Sequence, residues 1–422
     1  MMVQKRIRIQ ALCLYPLLLL PFLFISLRPE WGHLWRSPTE RIIAGDETHY
    51  LLMLASLKED HDLEVSNNYV NPPLSLRKRL SLQSHHTWVR DSETGQLFYF
   101  GEKPLPEKRQ EYSKHGFGLP LLAFAFLGWT RLSAEWALRL TNLLLTFLAL
   151  LFFTRILKER GEVRPLLLAT LFLVCTPLWH YSTTMFVEPA LLFCMVMVLW
   201  CCGSVKKRPI WASAVVLFGT LCKLPFILFL LPVLYSVRQS GMTGWWRVGL
   251  LPVLGILGWM GLNDFWFGSF FHFNQLVQHT GFIIDPPRLM LKKGSELLFS
   301  YQNGLFIFVP FMLFLLYPPV LRRLFSMERL LFWLPWFLMM VAVHEVHNGC
   351  AYGPRLLVPL LPLFVLALQP LWARLLLRST RIVPVMFAVL GSLSFLISLQ
   401  SVLFSSSVYA APPWVFALHL FR

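Results

Sequence analysis

The chain has 422 residues, of which 56% are hydrophobic and only 14% charged, with a mean hydropathy of +0.57 and a formal net charge of +16. A soluble chain of this length could not solvate so much apolar surface, which excludes the ordinary globular classes. Backbone groups in lipid must satisfy one another, and continuous rather than alternating apolar runs exclude a β-barrel. The fold class expected is an all-α polytopic membrane protein.

The first apolar run, 11–27, follows Lys5, Arg6 and Arg8 as it would in a signal peptide. Ser26-Leu27-Arg28-Pro29 is a poor cleavage context, so the run is read as a retained first span. With the N-terminus cytoplasmic, about eleven spans follow: 9–28, 133–154, 165–183, 187–203, 209–222, 224–237, 248–265, 302–319, 328–344, 355–373 and 382–404. Eighteen of the 38 Lys and Arg then fall in cytoplasmic loops against three acids, Glu159, Glu162 and Glu328. The positive-inside rule requires this asymmetry, so the basic balance is a topology signal and no nucleic-acid partner is expected. The stretch 209–237 is read as a short hairpin with Lys223 at its outer tip.

Two extracytoplasmic loops are large, 29–132 and 264–301, within a single transmembrane domain covering 1–422 and without a soluble C-terminal domain. The first loop is expected to carry two amphipathic surface helices, at 47–58 and 117–127. The seven cysteines fall mostly within apolar runs, as buried small hydrophobes do, and suggest neither a disulfide framework nor a zinc site.

Several polar residues gather at outer helix ends. Asp46 and Glu47, in Gly45-Asp46-Glu47-Thr48-His49-Tyr50, suit a helix start, where acids face the dipole. An ionised carboxylate there can also act as a base, and His49 and Tyr50 follow on the same face. Glu188 opens the fourth span beside Pro189, and an acid beside lipid is a functional candidate by default. Lys223 interrupts an apolar hairpin, with snorkelling as its structural explanation. Arg355, in Tyr352-Gly353-Pro354-Arg355, sits at a helix start on the outer side, against both charge trend and dipole. Such an Arg suits phosphate by its planar fork. His344 and His347 form a pair without further ligands, which leaves a divalent metal unassigned. Asp60-His61-Asp62 follows a helix with no alternating strand–helix domain around it, and no phosphate-binding glycine loop occurs.

The order of these pieces resembles the GT-C superfamily of membrane glycosyltransferases, nearest its protein O-mannosyltransferase and aminoarabinose transferase branch. The likeness rests on five stretches: Gly45 to Leu51; His115-Gly116-Phe117-Gly118-Leu119-Pro120; Phe186-Val187-Glu188-Pro189; Asn303-Gly304-Leu305-Phe306 with Pro310; and Tyr352-Gly353-Pro354-Arg355-Leu356-Leu357-Val358-Pro359. The resemblance implies a polyprenyl-phosphate sugar donor and a glycan, lipid or protein acceptor. They would meet at the outer face of a bacterial cytoplasmic membrane. Asp46 maps to the reactive acid, with Glu47 beside it, and Glu188 to the acid opening the fourth span. Lys223, Arg355 and His115 would face the lipid phosphate, with His49, Tyr50, His347 and Tyr352 as further site residues. Asn303 stands where relatives often carry Arg. A single base without a nucleophile pair implies inversion at the anomeric carbon. The alternative, a secondary transporter or flippase, predicts midplane ionisable residues and an internal repeat, and the sequence shows neither.

Overall fold

The computed structural model describes residues 43, 45–72, 87–99, 107–162, 164–203, 208–241, 246–268, 270, 284–301, 303–343, 352–371 and 382–403. The expected first span at 9–28 and the pair His344 and His347 lie outside the described residues.

Apolar runs that must satisfy their own amides in lipid fold as helices, and the described chain is built mainly on them. The run at 133–154 is the helix Ala134–Glu159, that at 248–265 is Trp246–Phe267, and that at 382–404 is Ile382–Leu403. Among the described residues, these three are long and apolar enough to cross a membrane. A fourth is reached if Pro318–Leu324 and Met327–Ala342, bent by 80° at their junction, count as one span. The other expected spans among the described residues coincide with shorter or interrupted helices, such as Pro165–Val174, Glu188–Gly203 and Pro209–Cys222. Proline explains much of this segmentation. Pro165, Pro209, Pro225, Pro310 and Pro318 each open a helical segment, where a missing N–H costs nothing.

The helix Ala134–Glu159 starts on Ser133, whose hydroxyl accepts the Trp136 amide. It packs along Glu188–Gly203, which packs in turn against Pro209–Cys222. The expected hairpin is present: Pro209–Cys222 turns at Lys223 into a 3-10 segment, Leu224–Phe229, and then into Leu230–Gln239. Four of the five described cysteines are buried, as small hydrophobes in apolar runs should be.

Two expectations for the first loop need correction. The helix Asp46–Glu59 is not an amphipathic surface helix, because every residue from Glu47 to Leu57 is buried. Its polar residues find partners inside the protein rather than water. Thr48 donates to the Ile43 carbonyl at 3.3 Å, His49 Nδ1 meets the Tyr69 hydroxyl at 2.6 Å, and Ser56 donates to the Asp62 carboxylate at 2.7 Å. The stretch 117–127 keeps an exposed end: the helix Gly118–Ala123 runs into a π-helical turn, Phe124–Gly128, ending beside exposed Trp129.

The second correction concerns the all-α class. The loop holds a three-stranded antiparallel sheet in the order β2-β1-β3, with β1 Thr87–Asp91, β2 Leu97–Tyr99 and β3 Arg109–Ser113. The β1–β2 turn forms because Asp91 Oδ1 accepts the Glu93 and Thr94 amides and Gly95 takes φ 71°. Trp88 and Tyr112 pack with Phe267, and Arg90 donates to the Phe265 carbonyl at 2.9 Å. The sheet thus covers the end of the helix Trp246–Phe267.

Candidate active site

Two chain segments far apart in sequence, those carrying Asp46 and Glu188, converge on the Arg355 guanidinium. Gly353, at φ 58°, turns the chain so that Arg355 begins the 3-10 segment Arg355–Leu360 with its side chain buried. The Arg355 Nη2 donates to Asp46 Oδ2 and its Nε donates to Glu188 Oε1. Arg355 also lies over the Phe186 ring, 4.6 Å from its centroid, where the ring face favours a cation. Two of the five guanidinium N–H groups serve these carboxylates, and the planar fork holds both in fixed directions.

Asp46 is the first residue of its helix, with Gly45 at the cap position, so its carboxylate lies in the first turn, where the helix dipole favours an anion. Its carboxylate also faces His115, with Nδ1 3.6 Å from Oδ2. Burial alone would raise the Asp46 carboxyl, but Arg355, and then His115, hold it well below the usual carboxylate range. The His115 ring lies 4.8 Å from His49 and 5.7 Å from Tyr50.

Glu188 opens its helix fully buried, and its Oε2 has no hydrogen-bond partner among the described residues. Sequence reading did not identify what positions it. Asn142, buried within the helix Ala134–Glu159, donates to the Thr184 and Phe186 carbonyls, each at 2.8 Å. Arg139, one turn earlier, donates to the Thr183 carbonyl at 3.2 Å. From the other side, Glu47 Oε1 accepts the Met185 amide at 2.9 Å. The turn preceding Glu188 is therefore clamped from two directions. Glu47, expected beside the reactive acid, here holds backbone. An asparagine inside an apolar span was the available signal for Asn142.

Lys223 sits in extended backbone between Pro209–Cys222 and Leu224–Phe229, outside both helical segments. It is half-buried and within electrostatic range of Arg355, Glu188 and Asp46, and its ammonium forms no hydrogen bond or ion pair among the described residues. Burial, with Arg355 nearby, pushes its ammonium down to about 8. The segment carrying His115 packs directly on this break. A Cβ at Gly116 would fall 2.3 Å from the Cys222 carbonyl oxygen, and one at Gly118 would fall 2.7 Å from the Cys222 nitrogen. Only glycine permits that approach.

Tyr352 does not join the charged cluster. Its hydroxyl donates to the Ile397 carbonyl at 3.1 Å and its own carbonyl accepts from the Tyr181 hydroxyl, which anchors the Arg355 segment to two other helices. Asp60 and Asp62 accept hydrogen bonds from Asn67 and Ser56, closing the turn after their helix. No group of three or more metal-ligating side chains occurs among the described residues.

No family model matches the chain, and no curated protein is significantly similar to it. Two solved structures are similar, both of ArnT from Cupriavidus metallidurans. The apo structure gives a TM-score of 0.52 at 14% identity, covering 92% of this chain and 77% of that one. The structure bound to undecaprenyl phosphate gives 0.49 at 14% identity, covering 94% and 75%. Over most of its length the chain thus shares the fold of ArnT, and the resemblance read from its sequence holds at the level of fold.

Proposed function

We propose that the protein is a membrane glycosyltransferase that moves a sugar from a polyprenyl-phosphate-linked donor to an acceptor at the extracytoplasmic face. The observation carrying this reading is the Arg355 guanidinium held between Asp46 and Glu188 with Lys223 in electrostatic range. Two cations and two acids in a desolvated site suit a reaction that releases a phosphate and takes up a proton.

In this scheme the donor phosphate binds Arg355 and Lys223. An acceptor hydroxyl or amine attacks the anomeric carbon, the bond from that carbon to the phosphate oxygen breaks, and polyprenyl phosphate departs. The acceptor's proton passes to Asp46, a contribution of about 10²–10⁴ in rate. Asp46 clamped by Arg355 is a weak base. A phosphate competing for the guanidinium loosens that clamp and raises the proton affinity of Asp46 once the donor is in place. Glu188 Oε2, which has no partner among the described residues, would accept a hydrogen bond from a substrate hydroxyl. The scheme inverts configuration at the anomeric carbon.

The test is incubation of purified protein in nanodiscs with labelled polyprenyl-phosphate sugars and cell-envelope extracts as acceptors. Release of polyprenyl phosphate that requires Asp46 supports transfer. Movement of the lipid between leaflets without cleavage would instead establish the transporter reading.

A further inference from the structure

A second gathering of cations lies at the other end of the helix Ala134–Glu159, roughly 27 Å along it from Asn142 at 1.5 Å per residue. The charge asymmetry of the loops assigns this end to the cytoplasmic side. Arg160 caps the C-terminal end of that helix, and Arg323 lies in the last turn of Pro318–Leu324. Arg329 lies in the first turn of the next helix, just beyond the 80° bend. Gln369 and the backbone knit the three together. Arg323 Nη2 donates to Gln369 Oε1 at 2.8 Å, Gln369 Nε2 donates to the Arg160 carbonyl at 3.2 Å, and Arg329 Nη1 donates to the Arg323 carbonyl at 3.1 Å.

These bonds hold the arginines by neutral groups. All three are half-buried, and Arg323 stands within electrostatic range of both Arg160 and Arg329, where like charges repel. The acids in range are Glu162 and Glu328, and neither forms an ion pair with any of the three among the described residues. A helix C-terminus accounts for one cation, Arg160, but not for three. Fully solvated arginines would swing away from one another, and these are tied in place.

The surface beside them is apolar. Leu316, Phe325 and Met327 are large exposed apolar side chains in the segment that carries Arg323 and Arg329. Phe325 meets Trp333 edge-on at 5.4 Å, and Trp333 Nε1 donates to the Leu324 carbonyl at 3.0 Å. Aromatic groups of this kind favour the membrane–water interface. Fixed cations beside exposed apolar groups match a molecule with an anionic head and acyl chains.

We propose that this cluster binds the headgroup of an anionic phospholipid from the adjacent leaflet. The lipid phosphate lies among the Arg160, Arg323 and Arg329 guanidiniums, and the acyl chains run past Phe325 and Leu316. Because the arginines come from both sides of the 80° bend, the bound lipid braces that bend against the end of Ala134–Glu159.

Thermal unfolding of the full chain in a neutral detergent, titrated with phosphatidylglycerol or with phosphatidylcholine of the same acyl chains, tests this. Phosphatidylglycerol should raise the unfolding midpoint and phosphatidylcholine should not. The phosphatidylglycerol concentration at half effect should rise about fivefold for each guanidinium removed, in Arg160→Gln and in Arg323→Gln. Arg322→Gln, at an exposed position outside the cluster, should leave it nearly unchanged. Glu328→Gln removes a competing acid and should lower it, a gain that misfolding cannot imitate. Equal stabilisation by both lipids, or by inorganic phosphate in place of lipid, overturns the proposal. So does an unchanged half effect in the two cluster variants, or a loss in Arg322→Gln as large as theirs, which would reduce the response to general surface charge.

Discussion

Asp46 and Arg355 stand 309 positions apart in the chain and form a largely buried ion pair, with the side chains 18% and 8% exposed. The same guanidinium reaches Glu188, so one cation holds two acids and ties the helix Asp46–Glu59 to the helix Glu188–Gly203.

Asp46→Asn removes the proton acceptor while keeping the size of the side chain. Turnover should fall by about 10²-fold or more, with no rise in donor KM because Arg355 is left freer for phosphate. Glu47→Gln should be milder in turnover and lower the unfolding temperature, since it weakens the hold on Met185. Steady-state kinetics in one nanodisc preparation decide this. Activity within a few-fold of wild type would return Asp46 to a purely structural role.

Arg355→Ala strands two carboxylates in a desolvated site, a break that costs about 3–5 kcal/mol in buried pairs. Thermal unfolding in detergent should show a marked fall, partly recovered when Asp46→Asn and Glu188→Gln are added. Arg355→Lys should keep more stability but lose donor affinity, because an ammonium cannot replace the planar fork. A wild-type midpoint for Arg355→Ala would show that the triad does not hold the fold together.

Lys223 titrates near 8, below its ordinary value of 10.5. It is charged below that pH and neutral above it, so donor affinity should decline as pH rises from 7 to 9. Lys223→Arg should remove that decline, since guanidinium stays charged throughout. The reading is donor KM against pH, and identical profiles for the two proteins would take Lys223 out of phosphate binding.

Asn142→Leu leaves the Thr184 and Phe186 carbonyls without their donor in a buried setting, at about 1–3 kcal/mol for each stranded group. It should lower both the unfolding midpoint and kcat through misplacement of Glu188. Retained kcat with lost stability would limit Asn142 to the fold.

The charge asymmetry of the loops predicts an outside first loop. A cysteine introduced at Ser92, which is exposed in the β1–β2 turn, should label from outside intact cells, whereas one at Ser204 should not. The opposite pattern would invert the orientation and place the cluster in the cytoplasm.

The charged part of the site was legible because lipid makes ionisable residues conspicuous. Asp46, Glu188, Lys223 and Arg355 each mark the edge of an apolar run. Glu47 carried the same mark for another reason, its bond to a backbone amide. Asn142 bears no charge, so a reading based on ionisable groups does not find it, although it interrupts an apolar helix. The burial of Asp46–Glu59 was hidden because Thr48, His49 and Ser56 look like a wet face until Ile43, Tyr69 and Asp62 supply partners. The hairpin had a local signal, Thr87-Trp88-Val89-Arg90-Asp91 and Leu97-Phe98-Tyr99 around a Ser-Glu-Thr-Gly turn. Its third strand, Arg-Gln-Glu-Tyr-Ser, has no apolar alternation to announce it.

The burial of residues 47–57 on every side of their helix implies an order of assembly. This helix is synthesised early, yet it packs on Ala134–Glu159 and its first residue pairs with Arg355, which leaves the ribosome some three hundred residues later. Until then Asp46 and Glu188 are acids without their shared cation. Two acids lacking that cation are expected to stay hydrated, and their surroundings unpacked, until it arrives. Closure of the Arg355 turn would then be the late step that completes the charged cluster, and a chain stopped before that turn would have most of its helices but no cluster.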